Sequence, residues 1–109
     1  MAQTYKVLGQ LNPSPNTITN VYVTGASVSA IVSAITITNQ SDSNTSYSLI
    51  VRPVNESINN KHFIIRGGIS PAREQITITS AVTMNSDVIL AANTNSSNLS
   101  FHAYGVEIT

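Results

Sequence analysis

Residues 28–39 form the longest uninterrupted run of small, β-branched and hydroxyl side chains in the chain, without charge, proline or glycine. At a period of two, Ile31, Ile35 and Ile37 share one face, while Val28 and Val32 lie on the other with alanines and threonines. The apolar spacing would also suit a helix, so periodicity alone leaves both readings open. The β-branched composition favours a strand. We expect a central strand with its isoleucine face towards a core and its other face also covered.

Turn-rich polar segments divide the rest of the chain into short apolar runs. Strands are predicted over residues 4–8, 17–23, 28–39, 47–54, 61–66, 74–79, 87–92 and 98–108, with Gly67 and Gly68 ending the fifth. About eight short strands without a capped helix pattern indicate an all-β, single-domain antiparallel β-sandwich, jelly-roll-like or immunoglobulin-like. Alternation predicts that the core contains Ile35, Ile37, Leu49, Val51, Val88, Leu90, Leu99 and Phe101.

The N-terminal segment differs from the rest because Pro13 and Pro15 favour an extended, unpaired path. We therefore expect an arm and connector over residues 1–16 and a sandwich domain over residues 17–109. An unpaired edge strand invites aggregation, so the arm should pair with another chain or close the domain's own sheet edge. Its candidate interaction residues are Tyr5, Val7 and Leu8.

Composition narrows the classes of partner. The net charge is zero, and 9% of residues are charged, against about a quarter in typical domains. Serine, threonine and asparagine make up 39 of the 109 residues. A neutral surface argues against a nucleic-acid partner, and a packed assembly of many copies or a homo-oligomer would suit so little charge. No apolar run is long enough for a membrane span, and none follows Met1 as a signal peptide would require, so we expect synthesis in a host cytoplasm.

Chemistry-bearing residues are sparse. Ser100 and His102 could be neighbours on one strand face, and with Asp87 they would supply the residue types of a Ser–His–Asp catalytic triad. Serine is common in this chain, however, and no nucleophile elbow accompanies Ser100. The two histidines lack spaced metal-ligating partners, there is no cysteine, and Gly67-Gly68 lacks a phosphate-loop lysine. We expect no enzyme activity, cofactor or metal. The tyrosines are read as core packing, with a glycan-stacking platform as the alternative.

Three of the five basic residues, Arg52, Lys61 and Arg66, lie on the middle strands. They could be solvated charges that deter edge pairing. Alternatively, Arg52 makes a charge-assisted hydrogen bond to a carboxylate or carbonyl, within the domain or across a contact. Because Arg52 alternates with Leu49 and Val51, it should point away from the core that they build.

Several short segments together resemble a known family. They are residues 6–10, 21–22, 30–35, 51–53, 60–62, 86–88, 98–101 and 104–108. Their order and spacing are similar to a small virion structural-protein domain of tailed phages that infect cyanobacteria and other marine bacteria. The chain departs from the pattern at Gly25 and Ser27, where that family tends to have proline and glycine, and over residues 79–82, which lack a usual glycine.

The resemblance implies a non-enzymatic virion component. We expect a capsid decoration (cement) protein docked on other virion subunits, whether the major capsid protein or neck and tail subunits. The alternative is a neck, tail or fibre-associated attachment module that binds a host glycan or receptor.

Overall fold

The computed structural model describes residues 2–79 and 81–109, so Met1 of the predicted arm and Ser80 lie outside the described residues. The described residues form nine strands and one 3₁₀ turn, at Asn60–His62. The strands are β1 (Gln3–Leu11), β2 (Thr19–Val23), β3 (Ser29–Asn39), β4 (Thr45–Pro53), β5 (Phe63–Ser70), β6 (Gln75–Ile78), β7 (Val82–Met84), β8 (Val88–Thr94) and β9 (Leu99–Ile108). The predicted all-β class is confirmed.

Two antiparallel sheets pack together as a β-sandwich, which confirms the predicted fold. A five-stranded sheet has the order β1-β9-β3-β6, with β7 also paired to β3, and a four-stranded sheet has the order β2-β8-β4-β5. Strands of the first half pair with strands of the second half in reverse order, β1 with β9, β2 with β8, β3 with β6 and β7, and β4 with β5. A long hairpin rolled into two sheets gives this order, which is that of a jelly roll.

The core lies between the two sheets, as the alternation predicts. Phe101, Leu49 and Ile37 are completely buried there, and the Tyr47 ring meets Phe101 edge to face at a centroid distance of 6.4 Å. Seven of the eight predicted core residues are buried, and Val51 is partly buried against them. β8 is buried on both faces because its alternate side chains contact a second apolar cluster outside the sandwich.

A β-bulge in β3 changes which face of the strand enters the core. Opposite β9, Val32 pairs with Gly105 and Ala34 with Tyr104, so Ser33 is an extra residue. Before the bulge Ala30 and Val32 are buried, whereas after it Ile35 and Ile37 are. The expectation that all three isoleucines share the core face was therefore wrong for Ile31, which lies on the outer face. One extra residue reverses the side-chain alternation of everything beyond it.

The N-terminal segment is part of the sandwich rather than a separate arm. β1 runs past Gly9 to Leu11 and pairs with β9 along its length, so it forms one edge of the five-stranded sheet. Gly9 lies against the backbone of β2, where an added Cβ would collide with the Val21 carbonyl oxygen. Of the two pairings expected for this segment, the structure has the one within the domain's own sheet.

β5 also differs from its prediction, because it continues through both glycines to Ser70. The register against β4 shifts between the pairs Tyr47–Gly68 and Leu49–Ile65, and Gly67 takes a positive φ of 70° at this bulge. Glycine adopts that conformation readily, so the glycine pair bends the strand instead of ending it. β7 had no counterpart among the predicted strands.

Candidate interaction surface

The outer face of the five-stranded sheet carries a contiguous set of exposed and partly exposed apolar side chains. Tyr5, Val106 and Ile31 lie side by side across β1, β9 and β3, and Val7 pairs with Tyr104 in the adjacent row. Tyr5 is 79% exposed, and Val7, Ile31 and Tyr104 are between 36% and 48% exposed. Ile108 extends the set along β9. We call these six residues the apolar half-face: Tyr5, Val7, Ile31, Tyr104, Val106 and Ile108.

The other half of the same face is polar but carries no fixed charge. Two rows of side chains cross the strands there, one formed by Gln10, His102, Thr36 and Thr77, and the other by Ser100, Thr38 and Gln75. The Gln10 amide nitrogen lies 3.3 Å from His102 Nδ1, and the His102 ring lies 6.3 Å from that of Tyr104. We call these seven residues the polar half-face. A smooth apolar patch beside neutral polar groups is typical of a protein contact surface.

The structure separates the three candidate interaction residues of the N-terminal segment. Tyr5 and Val7 project from the apolar half-face, whereas Leu8 is only 8% exposed and belongs to the core. The reason is ordinary alternation, since Leu8 directly follows the outward-facing Val7 and so points to the inner face. Leu8 is thus a packing residue and not a surface contact.

Sequence reasoning missed four members of the apolar half-face. A signal was present for three of them, since Tyr104, Val106 and Ile108 alternate with the core side of β9 and make that strand apolar on both faces. Ile31 could not be found in the same way, because its outward direction depends on the bulge at Ser33.

The three candidate basic residues lie on the side of the four-stranded sheet away from the core and are engaged within the chain. The Arg52 guanidinium donates a 2.6 Å hydrogen bond to the Glu56 carbonyl oxygen. Lys61 forms an exposed ion pair with Glu56 at 3.2 Å. Arg66 stacks 4.6 Å from the centre of the Phe63 ring and donates to the Asn60 side chain at 2.7 Å. The internal alternative for Arg52 is therefore the one observed, and its contact holds the loop that follows β4.

A polar clamp joins the two sheets along the side where β1 and β2 meet. The Tyr22 hydroxyl of β2 donates to one Glu107 oxygen at 2.5 Å, and Lys6 Nζ of β1 lies 3.2 Å from the other. Both donors lower the pKa of Glu107, with Tyr22 the larger cause. Burial first, and then the nearby carboxylate, raise the pKa of Tyr22. The carboxylate thus bonds to both sheets and keeps its charge at neutral pH.

The residues considered for catalysis are not brought together. Ser100 and His102 lie on the polar half-face, in register with Thr38 and Thr36 of β3. Asp87 lies before β8 in the other sheet, where its amide and carbonyl bond to Gly25 and Val54. Within residues 2–79 and 81–109, no group of three or more acidic, histidine or cysteine side chains could hold a metal ion. Over the same ranges, no helix has the length and apolar character needed to cross a membrane.

The sheet edges carry features that oppose strand addition. β1 has Lys6 and the bulge at Leu8, and β5 has its bulges and Arg66. The opposite edge of the five-stranded sheet is divided between two short strands, β6 and β7. Charges, bulges and short strands at edges are the usual protection against edge-to-edge pairing. A contact through the face of a sheet is therefore favoured over one through its edge.

Comparisons with protein-family models, with curated proteins and with solved structures found no match for this chain.

Proposed function

We propose that the chain is a non-enzymatic structural subunit of a phage virion, a capsid decoration protein that docks on other virion subunits. The apolar half-face carries this proposal. Four exposed apolar side chains on three adjacent strands form a patch without fixed charge, and such a patch on a small domain favours a protein partner.

The fold and the composition add support. Many viral capsid proteins have the jelly-roll fold, but so do lectins and cupins. The fold is therefore compatible with a capsid role, although it does not distinguish that role from carbohydrate binding. A surface with few charges suits a subunit that is packed in a large assembly more than a free monomer. The resemblance of the sequence segments to phage virion domains points to the same class.

Imaging of labelled protein on intact particles of the phage that encodes the chain tests this proposal. Hundreds of copies spread over the shell would support decoration. A few copies at one vertex would indicate that the protein belongs to the neck or tail. Absence from purified particles, while the protein is present in the infected cell, would contradict a virion role.

A second candidate is an attachment module that binds a neutral host glycan. Tyr104 and His102 are adjacent aromatic rings beside the hydroxyl and amide groups of the polar half-face. Carbohydrate recognition commonly combines a ring that stacks on a sugar with neutral hydrogen-bonding groups. Binding on a glycan array that is lost in Tyr104→Ala, but kept in Tyr5→Ala, would favour this function over decoration.

A further inference from the structure

The sandwich is closed differently along its two sides. Where β1 and β2 meet, Gly9 lies against the backbone of β2, and the hydrogen bond from Tyr22 to Glu107 joins the two sheets. The opposite side lies between β5, an edge of the four-stranded sheet, and the short strands β6 and β7 of the other sheet. A cavity of about 230 Å³ opens there. We call it the side cavity, and it is lined by Ile64, Ile65, Ile78, Ala81 and Val82.

An irregularity in β5 contributes to this space. Ile64 has no partner in the register against β4, so it is an extra residue at a bulge, and its side chain is 46% exposed. Ala81, across the cavity, is also exposed and has only a methyl group as its side chain. The other three lining residues are partly buried and pack against the main core: Ile65, Ile78 and Val82. The side cavity therefore has a floor of core-packed residues and a mouth that is open to solvent.

The lining and the size of the side cavity determine what can occupy it. All five lining side chains are aliphatic, so a polar group that entered would lose its hydrogen bonds to water without replacement. An apolar cavity of about 150 Å³ holds benzene, so the side cavity has room for one aromatic ring. Sites for drug-sized ligands are larger, about 300–1,000 Å³, and contain polar groups that orient the ligand. A protein side chain needs no such groups, because its own backbone orients it.

Tyr5 is the side chain of this chain that matches the side cavity best. It is the most exposed of the large apolar side chains among the described residues, at 79%. Tyrosine also suits a cavity with an open mouth, because its ring is buried while its hydroxyl stays at the end that faces water. Neither the apolar half-face nor the lining of the side cavity carries a fixed charge, so two copies meet there without like-charge repulsion.

Tyr5 does not reach the side cavity of its own chain. β1 lies at one edge of the five-stranded sheet, and β6 and β7 lie at the other. With β9 and β3 between them, these edges are three strand spacings of about 4.8 Å apart. We therefore propose that Tyr5 of one copy inserts its ring into the side cavity of a second copy. Because each copy contributes two different surfaces, the contact is heterologous and links copies into a ring or an open chain.

Analytical ultracentrifugation of two complementary variants tests this contact. Tyr5→Ser removes the inserted ring but keeps the side cavity, whereas Ala81→Phe fills the cavity but keeps Tyr5. The unaltered protein should self-associate at concentrations up to about 1 mM, and each variant alone should do so at least about tenfold more weakly. A mixture of the two should form a one-to-one dimer that grows no further, because one intact Tyr5 still meets one intact cavity. Val54→Thr, at another exposed apolar position, should associate like the unaltered protein.

If Ala81→Phe does not fold, NMR of the unaltered protein decides instead. In a mixture of labelled and unlabelled copies, nuclear Overhauser effects are expected between the Tyr5 ring of one copy and the methyl groups of Ile64 and Val82 of another. A protein that stays monomeric at about 1 mM, variants that associate as strongly as the unaltered protein, or a mixture that forms no dimer would overturn the contact. The virion role is tested separately, so a monomeric chain that is still found in particles would refute this contact alone.

Discussion

At the residue scale, the stability of the sandwich depends on a few side chains that connect its two layers. Phe101 and Leu49 do so through apolar packing, and Glu107 does so through hydrogen bonds from Tyr22 and Lys6. The two kinds of contact differ in their response to pH. Apolar packing does not titrate, whereas the clamp depends on an ionised carboxylate.

The clamp predicts a stability difference that depends on pH. Because the folded pKa of Glu107 is lowered, its contribution is present above the ordinary glutamate pKa and is lost as the pH falls through the folded value. Tyr22→Phe removes the largest cause of this shift. Urea unfolding should therefore show the variant less stable at neutral pH, with the difference shrinking as the pH falls below the ordinary glutamate pKa. Tyr104→Phe is the matched control, and an equal deficit for Tyr22→Phe at every pH would refute the clamp.

The core predicts a large cost for truncation. Phe101 is completely buried and contacts Tyr47 edge to face, so Phe101→Ala should lower the free energy of unfolding by about 3–5 kcal/mol through cavity formation. Denaturant unfolding measures the loss. Tyr5→Ala, at a strongly exposed aromatic, should change stability by less than about 0.5 kcal/mol. A loss under about 1 kcal/mol for Phe101→Ala would mean that this side chain is not a core residue.

At the element scale, bulges decide which side chains reach each surface. Ser33 in β3 and Leu8 in β1 are extra residues at neighbouring levels of the sheet, on either side of β9. An added Cβ at Gly105 of β9 would collide with the Ile31 carbonyl oxygen, so the strands approach closely at this level. The bulge in β3 places Ile31 on the face opposite Ile35 and Ile37, and the bulge in β1 brings Gln10 onto the same outer face as Val7.

Alternation within single strands was enough to predict the class of fold, most strand positions and eight core residues, of which seven are buried. Residues 99–103 alternate without interruption, and their buried face was predicted correctly. Bulges were not predictable, because an extra residue is visible only against its partner strand. That is why Ile31 was misassigned to the core face and why the apolar half-face was only partly foreseen. Leu8 was misassigned for another reason, since alternation with Val7 already places it on the inner face.

The bulge in β3 predicts that one deletion is tolerated. Without Ser33, Val32 and Ile35 are two residues apart, so regular alternation keeps both in the core and the pairs on either side of the bulge stay in register with β9. The deletion variant should therefore keep cooperative thermal unfolding and the dispersed amide NMR spectrum of a folded domain. Ser33→Ala, which keeps the residue count at an exposed position, should unfold within about 0.5 kcal/mol of the unaltered protein. A deletion variant that does not fold would contradict the assignment of Ser33 as the extra residue.

At the scale of the whole molecule, the two outer faces of the jelly roll have different properties. The four-stranded sheet has a buried apolar cluster and basic residues that bond within the chain, and its exposed apolar side chains Val23 and Ile69 lie apart on its two edge strands. The five-stranded sheet is uncovered within the described residues, and one half of it is apolar. β2, the other edge of the four-stranded sheet, is a five-residue strand with a bulge between Asn20 and Tyr22. With the edges of both sheets protected by bulges, charges or short strands, docking through the apolar half-face is the arrangement that leaves the sandwich unchanged.

Incorporation of surface variants into particles tests this central claim most directly. Tyr5→Ser combined with Ile31→Thr removes the middle of the apolar half-face at two exposed positions, so the isolated domain should melt close to the unaltered protein. The matched control is Ile69→Thr, which replaces an apolar side chain that is 60% exposed on the other sheet. The account predicts that quantitative mass spectrometry of purified particles finds the control at its normal copy number and the double variant at about a tenth of it or less, as for the loss of contact residues in an interface. A folded double variant that incorporates as fully as the control would contradict docking through this face.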